Sequence, residues 1–125
     1  MAKELRQAFD QASELFNAGN YNELGAILSS NVILKRVGDP GSIVGIGNVM
    51  AYLNTHQKSQ QPQFVGPKIQ MQIEKGTQGV IGGAAEYRNK PGDRVMVPVQ
   101  FTFVFVRNDP NDDWMLTNLF AVPAN

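Results

Sequence analysis

Residues 95–106, VMVPVQFTFVFV, read as a strand that is apolar on both sides. Alternation places Val97, Val99, Phe101, Phe103 and Phe105 on one face. Met96, Pro98, Gln100, Thr102, Val104 and Val106 fall on the other. Such a strand must be covered twice, and helices packed on a single sheet cover only one face of it. The Phe-rich face is therefore expected to need a second cover. Leaving its rings in water would forfeit about 1.5–3 kcal/mol each and create a sticky patch. The simplest cover is a second copy of the chain. Val99, Phe101, Phe103 and Phe105 are thus the expected face of a homodimer.

The rest of the chain supplies the helices and the remaining strands. Leu5, Phe9, Ala12 and Phe16 recur at helical spacing, and Asn17, Ala18, Gly19 and Asn20 read as a stop. Leu24, Ile27 and Leu28 mark a short second helix ending near Ser29, Ser30 and Asn31. Residues 32–37 are rich in β-formers. Asp39, Pro40 and Gly41 form a turn. Val49, Tyr52, Leu53 and His56 return to helical spacing, with Asn48 as the expected N-cap.

Past Gln61 and Pro62 the period becomes two. Ile69, Met71 and Ile73 alternate with polar residues, as in a strand with one wet face. Residues 80–88 form the next strand, where Gly82 and Gly83 signal a bulge or bend. The long strand follows, and residues 114–122 close the chain. Helices first and an antiparallel meander afterwards give an α+β class. At 125 residues the chain is one domain, 1–125.

Composition removes several functions. Eleven basic residues balance eleven acidic ones, so no long-range field attracts nucleic acid. With no cysteine there is no disulfide, thiolate nucleophile or Cys-ligated zinc, which fits a reducing compartment. The opening MAKELRQAFD is charged and amphipathic, unlike a signal peptide, and no apolar run is long enough to span a bilayer. A cytoplasmic protein with no membrane partner and no cofactor is expected.

Local motifs add little chemistry. His56 is the only histidine, so a histidine metal cluster is excluded and no metal site is expected. At the end of an apolar helix face it is a candidate general base, or a helix-capping residue. Asp109, Asn111 and Asp113 open like a calcium loop, but Trp114 replaces the turn glycine and Phe120 the bidentate glutamate. An acidic hairpin turn explains them better. Gly45, Ile46 and Gly47 lack the third glycine of a dinucleotide fingerprint and read as a turn into the third helix. Glu86 and Tyr87 are a possible acid and donor whose faces the preceding glycines leave open.

The FNAGNYNEL stretch leading to a β-rich strand, then GIGNVMAYL, then a meander ending in WMLTNLF, resembles the nuclear transport factor 2-like superfamily across nearly the whole chain. That group includes the ketosteroid isomerases and the SnoaL-like polyketide cyclases. The resemblance implies a cystatin-like cone of three N-terminal helices packed on a curved, mostly antiparallel sheet, with a cavity at its mouth. In such proteins the outer sheet face often makes a dimer. Ketosteroid isomerases use a helix tyrosine, a base aspartate and a protonated aspartate. The matching positions here are Ala12, Arg36 and Gln100, so that catalytic set is missing. The same match turns Phe16, Arg36, Tyr52, Gln100, Thr102, Val104, Asn118 and Phe120 toward the cavity. Arg36 is then the candidate partner of a bound anion. Lys35 is expected to point outward. A small, partly apolar ligand with a carbonyl or carboxylate suits this lining.

Two functions remain from the sequence. One is a SnoaL-like small-molecule binder, with isomerase, cyclase or lyase chemistry if it is an enzyme. The other is a non-catalytic dimeric interaction module with a packed cone.

Overall fold

The computed structural model describes residues 4–35, 41–57, 62–88, 90 and 92–124. Helices α1 (Leu5–Asn17), α2 (Tyr21–Ala26) and α3 (Ile46–Tyr52) pack on one sheet. Its strands are β1 (Leu28–Lys35), β2 (Ser42–Val44), β3 (Gln63–Lys75), β4 (Gln78–Arg88), β5 (Val97–Val106) and β6 (Met115–Pro123). They lie in the order β2-β1-β6-β5-β4-β3. All neighbours are antiparallel except β1 and β6. Three helices on a curved, mostly antiparallel sheet give the expected α+β cone.

Helix α1 forms as its pattern requires. Leu5, Ala8, Phe9, Ala12 and Phe16 are buried on one stripe. The chain leaves it through Gly19, whose φ of 71° suits glycine. The Asn17 side chain then does the work of a strand partner. Its Nδ2 donates to the Phe64 carbonyl at 2.9 Å, and the Phe64 N–H donates to its Oδ1 at 2.8 Å. The end of α1 is thereby tied to the start of β3.

Some boundaries differ from the sequence reading. Helix α2 stops at Ala26, and Leu28, Ser29 and Ser30 already belong to β1. The Leu116 N–H donates to the Ile27 carbonyl at 2.8 Å, so the chain turns to meet β6 one residue before β1 begins. The cap of α3 is Gly45, with φ 91°, not Asn48. Asn48 sits in the first turn and donates through Nδ2 to the Val44 carbonyl at 2.9 Å. Leu53–Gln57 continues α3 as a single π-turn.

The core is aromatic. The Phe9 ring lies 5.4 Å from Phe101 and 5.3 Å from Phe103. Phe64 meets Phe16, Tyr87 and Phe103 at 5.5, 5.8 and 6.1 Å. Each such pair adds about 0.5–1.5 kcal/mol beyond its buried area. Near the β5–β6 turn, Arg107 lies 3.9 Å over the Trp114 ring, donates from Nε to the Gly76 carbonyl and reaches Glu74 at 3.7 Å.

Candidate functional site

The long strand presents its faces the opposite way from the expectation. Val99, Phe101, Phe103 and Phe105 are all buried beneath the helices, two of them against Phe9. They are the floor of the cone and not a dimer face. The physical reason is side-chain area. The Phe-rich face has the most to gain from the helix layer, so it takes that layer. The mixed face, with Gln100, Thr102 and Val104, is left outside.

Register carries this reversal across the sheet. Thr102 stands opposite Phe120, Val104 opposite Asn118, and Gln100 opposite Val122. Gln100 is exposed, and Thr102, Asn118 and Phe120 are half-buried on the outer face. Five of the residues expected to line the cavity, Gln100, Thr102, Val104, Asn118 and Phe120, therefore do not line it. Phe16 is buried among the core rings, and Tyr52 is half-buried against the core. Arg36 lies outside the described residues. The backbone of His56 is in the π-turn, and its side chain lies outside what is described. Lys35 stands opposite Phe120 on the outer face, in line with its expected outward direction. Tyr87 points in, edge-on to Phe64, and Glu86 points out.

Among the described residues, three buried side-chain polar atoms have no hydrogen-bond partner: Arg88 Nε, Trp114 Nε1 and the Tyr21 hydroxyl. Tyr21 is only 2% exposed, and its hydroxyl has no hydrogen-bond partner among the described residues. Burial pushes its phenol above the usual pKa of 10.0, and the neighbouring Tyr52 pushes it the same way. Tyr21 is a neutral donor at physiological pH. Sequence reasoning passes over it although it lies within FNAGNYNEL, because that stretch reads as a helix stop and not for its side chains. The ketosteroid isomerase match does not recover an acid either, since the inward neighbours of Gln100 are Val99 and Phe101.

Outside the cone the sheet offers a broad surface with an apolar centre. Val44, Met71, Ile73 and Val122 are exposed on it at 57, 41, 56 and 38%. Ile33, Val80, Thr102, Val104 and Phe120 are half-buried around them. The charged residues on this face are Lys35, beside Phe120, and Lys68, Lys75, Glu86 and Arg88, toward its margins. An apolar centre with a charged rim is the anatomy of a protein interface. Within it is a depression of about 190 Å³, lined by Gln70, Met71, Gly82, Gly83, Gln100 and Thr102. The glycines had suggested a bend in β4. The irregularity lies instead in β3, between Val65 and Lys68 and between Ile69 and Met71. A side chain on Gly83 would meet the Lys68 carbonyl oxygen at 2.0 Å, so the bulged strand closes over that glycine.

The remaining candidates hold no site. In the acidic hairpin, the Asn111 N–H donates to Asp109 Oδ1 at 2.9 Å, which makes it a side-chain-stabilised turn. Among the described residues no group of three or more His, Cys, Asp or Glu could hold a metal. No described helix is long and apolar enough to cross a membrane.

No protein-family model and no curated protein matches this chain. Solved structures do. A chain from Thiobacillus denitrificans, assigned as a calcium/calmodulin-dependent protein kinase type II association domain, superposes with a TM-score of 0.81 at 16% identity, covering 100% of this chain and 98% of that one. A chain from Streptomyces avermitilis, assigned as a dehydratase of the NTF2-like family, gives 0.79 at 18% identity over 97% and 94%. An NTF2-like protein with a cystatin-like fold from Novosphingobium aromaticivorans gives 0.71 at 12% identity over 98% and 80%. At these identities the likeness is one of fold.

Proposed function

We propose that this chain, which has the NTF2-like, cystatin-like fold, works as a self-associating module that pairs through the outer face of its sheet. One observation carries the reading. Four large apolar side chains, Val44, Met71, Ile73 and Val122, stand exposed on a single face. A patch of that kind marks a contact surface. The inner face is already closed by Phe9, Phe64 and the Phe-rich side of β5, so the second cover that the long strand needs falls on the outer side. The fold shared with the Thiobacillus association domain agrees in kind. The absence of cysteine fits a cytoplasmic setting. Sedimentation at micromolar concentration tests the proposal. A dimeric mass is expected, and a monomeric mass overturns it.

Tyr21 favours a second reading. A buried donor without a partner costs about 1–3 kcal/mol, and a ligand acceptor would remove that cost. The ligand would be small and partly apolar, with a carbonyl or carboxylate, held in the cone without the ketosteroid isomerase catalytic set. A structure of this fold from Streptomyces avermitilis is assigned as a dehydratase, which is in keeping with this reading. A thermal-shift panel of cyclic ketones and carboxylates tests it. A ligand that raises the melting temperature of the wild type but not of Tyr21→Phe supports the reading. No shift from any member of the panel sinks it.

A further inference from the structure

The outer face carries one aromatic ring and one hole, and the register sets them symmetrically. Lys35, Phe120, Thr102, Gly82 and Met71 form a single row across β1, β6, β5, β4 and β3. Phe120 is one strand from Thr102 on one side, and Gly82 is one strand from it on the other. Neighbouring strands are about 4.8 Å apart, so ring and hole are equidistant from β5. Gly82 forms part of the depression of about 190 Å³. A cavity of about 150 Å³ is enough to take benzene.

From this we infer that the self-association proposed above uses a two-fold axis running along β5, over Thr102, and that Phe120 of each copy enters the Gly82 depression of the other. Rotation about such an axis turns one outer face onto the other and exchanges the two sides of β5. The strands of the two sheets stay roughly aligned, as in ordinary face-to-face packing. The position above Gly82 is then filled by the partner's Phe120. The contact is made twice, as a two-fold interface requires.

Two further rows agree with this axis. Ile33, Asn118, Val104, Val80 and Ile73 form the next row. The rotation brings Ile33 near the partner's Ile73, which is 56% exposed in the single chain. In the row on the other side, Val122, Gln100 and Ala84 follow one another. There the exposed Val122 reaches the partner's Ala84, and the two Gln100 amides meet at the axis. The same rotation sets Lys35 beside the partner's Met71 and Asn118 beside its Val80, so the apolar matches are Phe120 with Gly82, Ile33 with Ile73 and Val122 with Ala84. An axis running across the strands would instead set ring on ring and hole on hole.

The inference rests on the self-association reading, and a double-mutant cycle separates the two. Dimer dissociation constants are measured for wild type, Phe120→Ala, Gly82→Val and the double variant. Each single change is expected to weaken the dimer about ten-fold or more. The double variant should be no weaker than the worse single one, because both remove the same contact. Losses that multiply in the double variant, or single changes without effect, overturn the ring-in-hole contact while a wild-type dimer upholds self-association. A monomeric wild type overturns both. A Cβ at Gly82 lies 3.1 Å from the flexible methyl of Met71 and 3.4 Å from the Phe101 carbonyl oxygen. Gly82→Ala therefore keeps the fold with a small adjustment. It repeats the test if the valine variant does not fold, and an unweakened alanine dimer then overturns the contact.

Discussion

Tyr21 is buried through its ring, and its hydroxyl finds no described partner. Phenylalanine at this position keeps the packing against Phe16, whose ring lies 6.2 Å away, and removes the orphaned oxygen. Tyr21→Phe is therefore expected to stabilise the fold by about 1 kcal/mol, read by urea unfolding. The same site predicts a pH dependence. The unfolded chain gives up this proton near pH 10, while the folded chain holds it to higher pH. The folded state then binds more protons in that window and loses stability as the pH climbs through it. Unfolding curves measured from pH 8 to 11 should show this loss in the wild type and a smaller one in Tyr21→Phe. Equal slopes would mean that the phenol is not shielded.

Two elements are held by contacts that single substitutions expose. Asn17 fastens α1 to β3 with a donor and an acceptor, so Asn17→Ala is expected to cost about 1–3 kcal/mol in thermal or urea unfolding. In β4 the two adjacent glycines behave differently. Gly83→Ala drives a methyl into the Lys68 carbonyl, whereas Gly82→Ala meets only a movable side chain and one carbonyl at 3.4 Å. The melting temperature should fall much further for Gly83→Ala than for Gly82→Ala, and equal falls would count against the bulge. Residue spacing made much of this level legible. The stripe of α1 and the stop at Gly19 lead directly to α1, while the alternation of Ile69, Met71 and Ile73 gives the strand β3 but not its faces, since the bulge sets Ile69 opposite to Met71 and Ile73. The β5 strand shows the limit. Alternation divides Phe101 and Phe103 from Gln100 and Thr102 correctly, but it does not say which set the helices cover. The expectation that the Phe-rich face needs the second cover and the family resemblance, which turns Gln100 and Thr102 inward, both give the wrong side. Comparing the two faces by apolar area would have given the right one. The depression at Gly82 depends on bulges in a different strand, and neighbouring residues in sequence hold no trace of it.

For the molecule as a whole, the sign and placement of charge decide how association should respond to solvent. The centre of the outer face is apolar, and apart from Lys35 beside Phe120 its charges lie toward the rim. Raising salt from about 0.1 to 1 M shortens the screening length from about 10 to 3 Å. The dimer is expected to change its dissociation constant only a few-fold over that range, since apolar burial and not ion pairing would drive it. A steep loss with salt would indicate a different surface. Val104→Lys places a charge on the proposed axis and should abolish the dimer with little effect on the single chain's unfolding.

The same molecule has a free sheet border at β3, which runs 13 residues. Its sequence from Ile69 to Ile73 is a palindrome, IQMQI, with Lys68 before it and Glu74 after it. A straight strand of that sequence could zip onto an inverted copy of itself, charge against charge, in competition with pairing through the outer face. The kink between Ile69 and Met71 prevents this. It turns Ile69 inward toward the core and leaves Ile73 outward, so the two halves of the palindrome no longer match. Pro67 removes an amide from the same border. Edge-to-edge pairing is thus disfavoured in the strand that most invites it, which leaves the outer face as the proposed contact between copies.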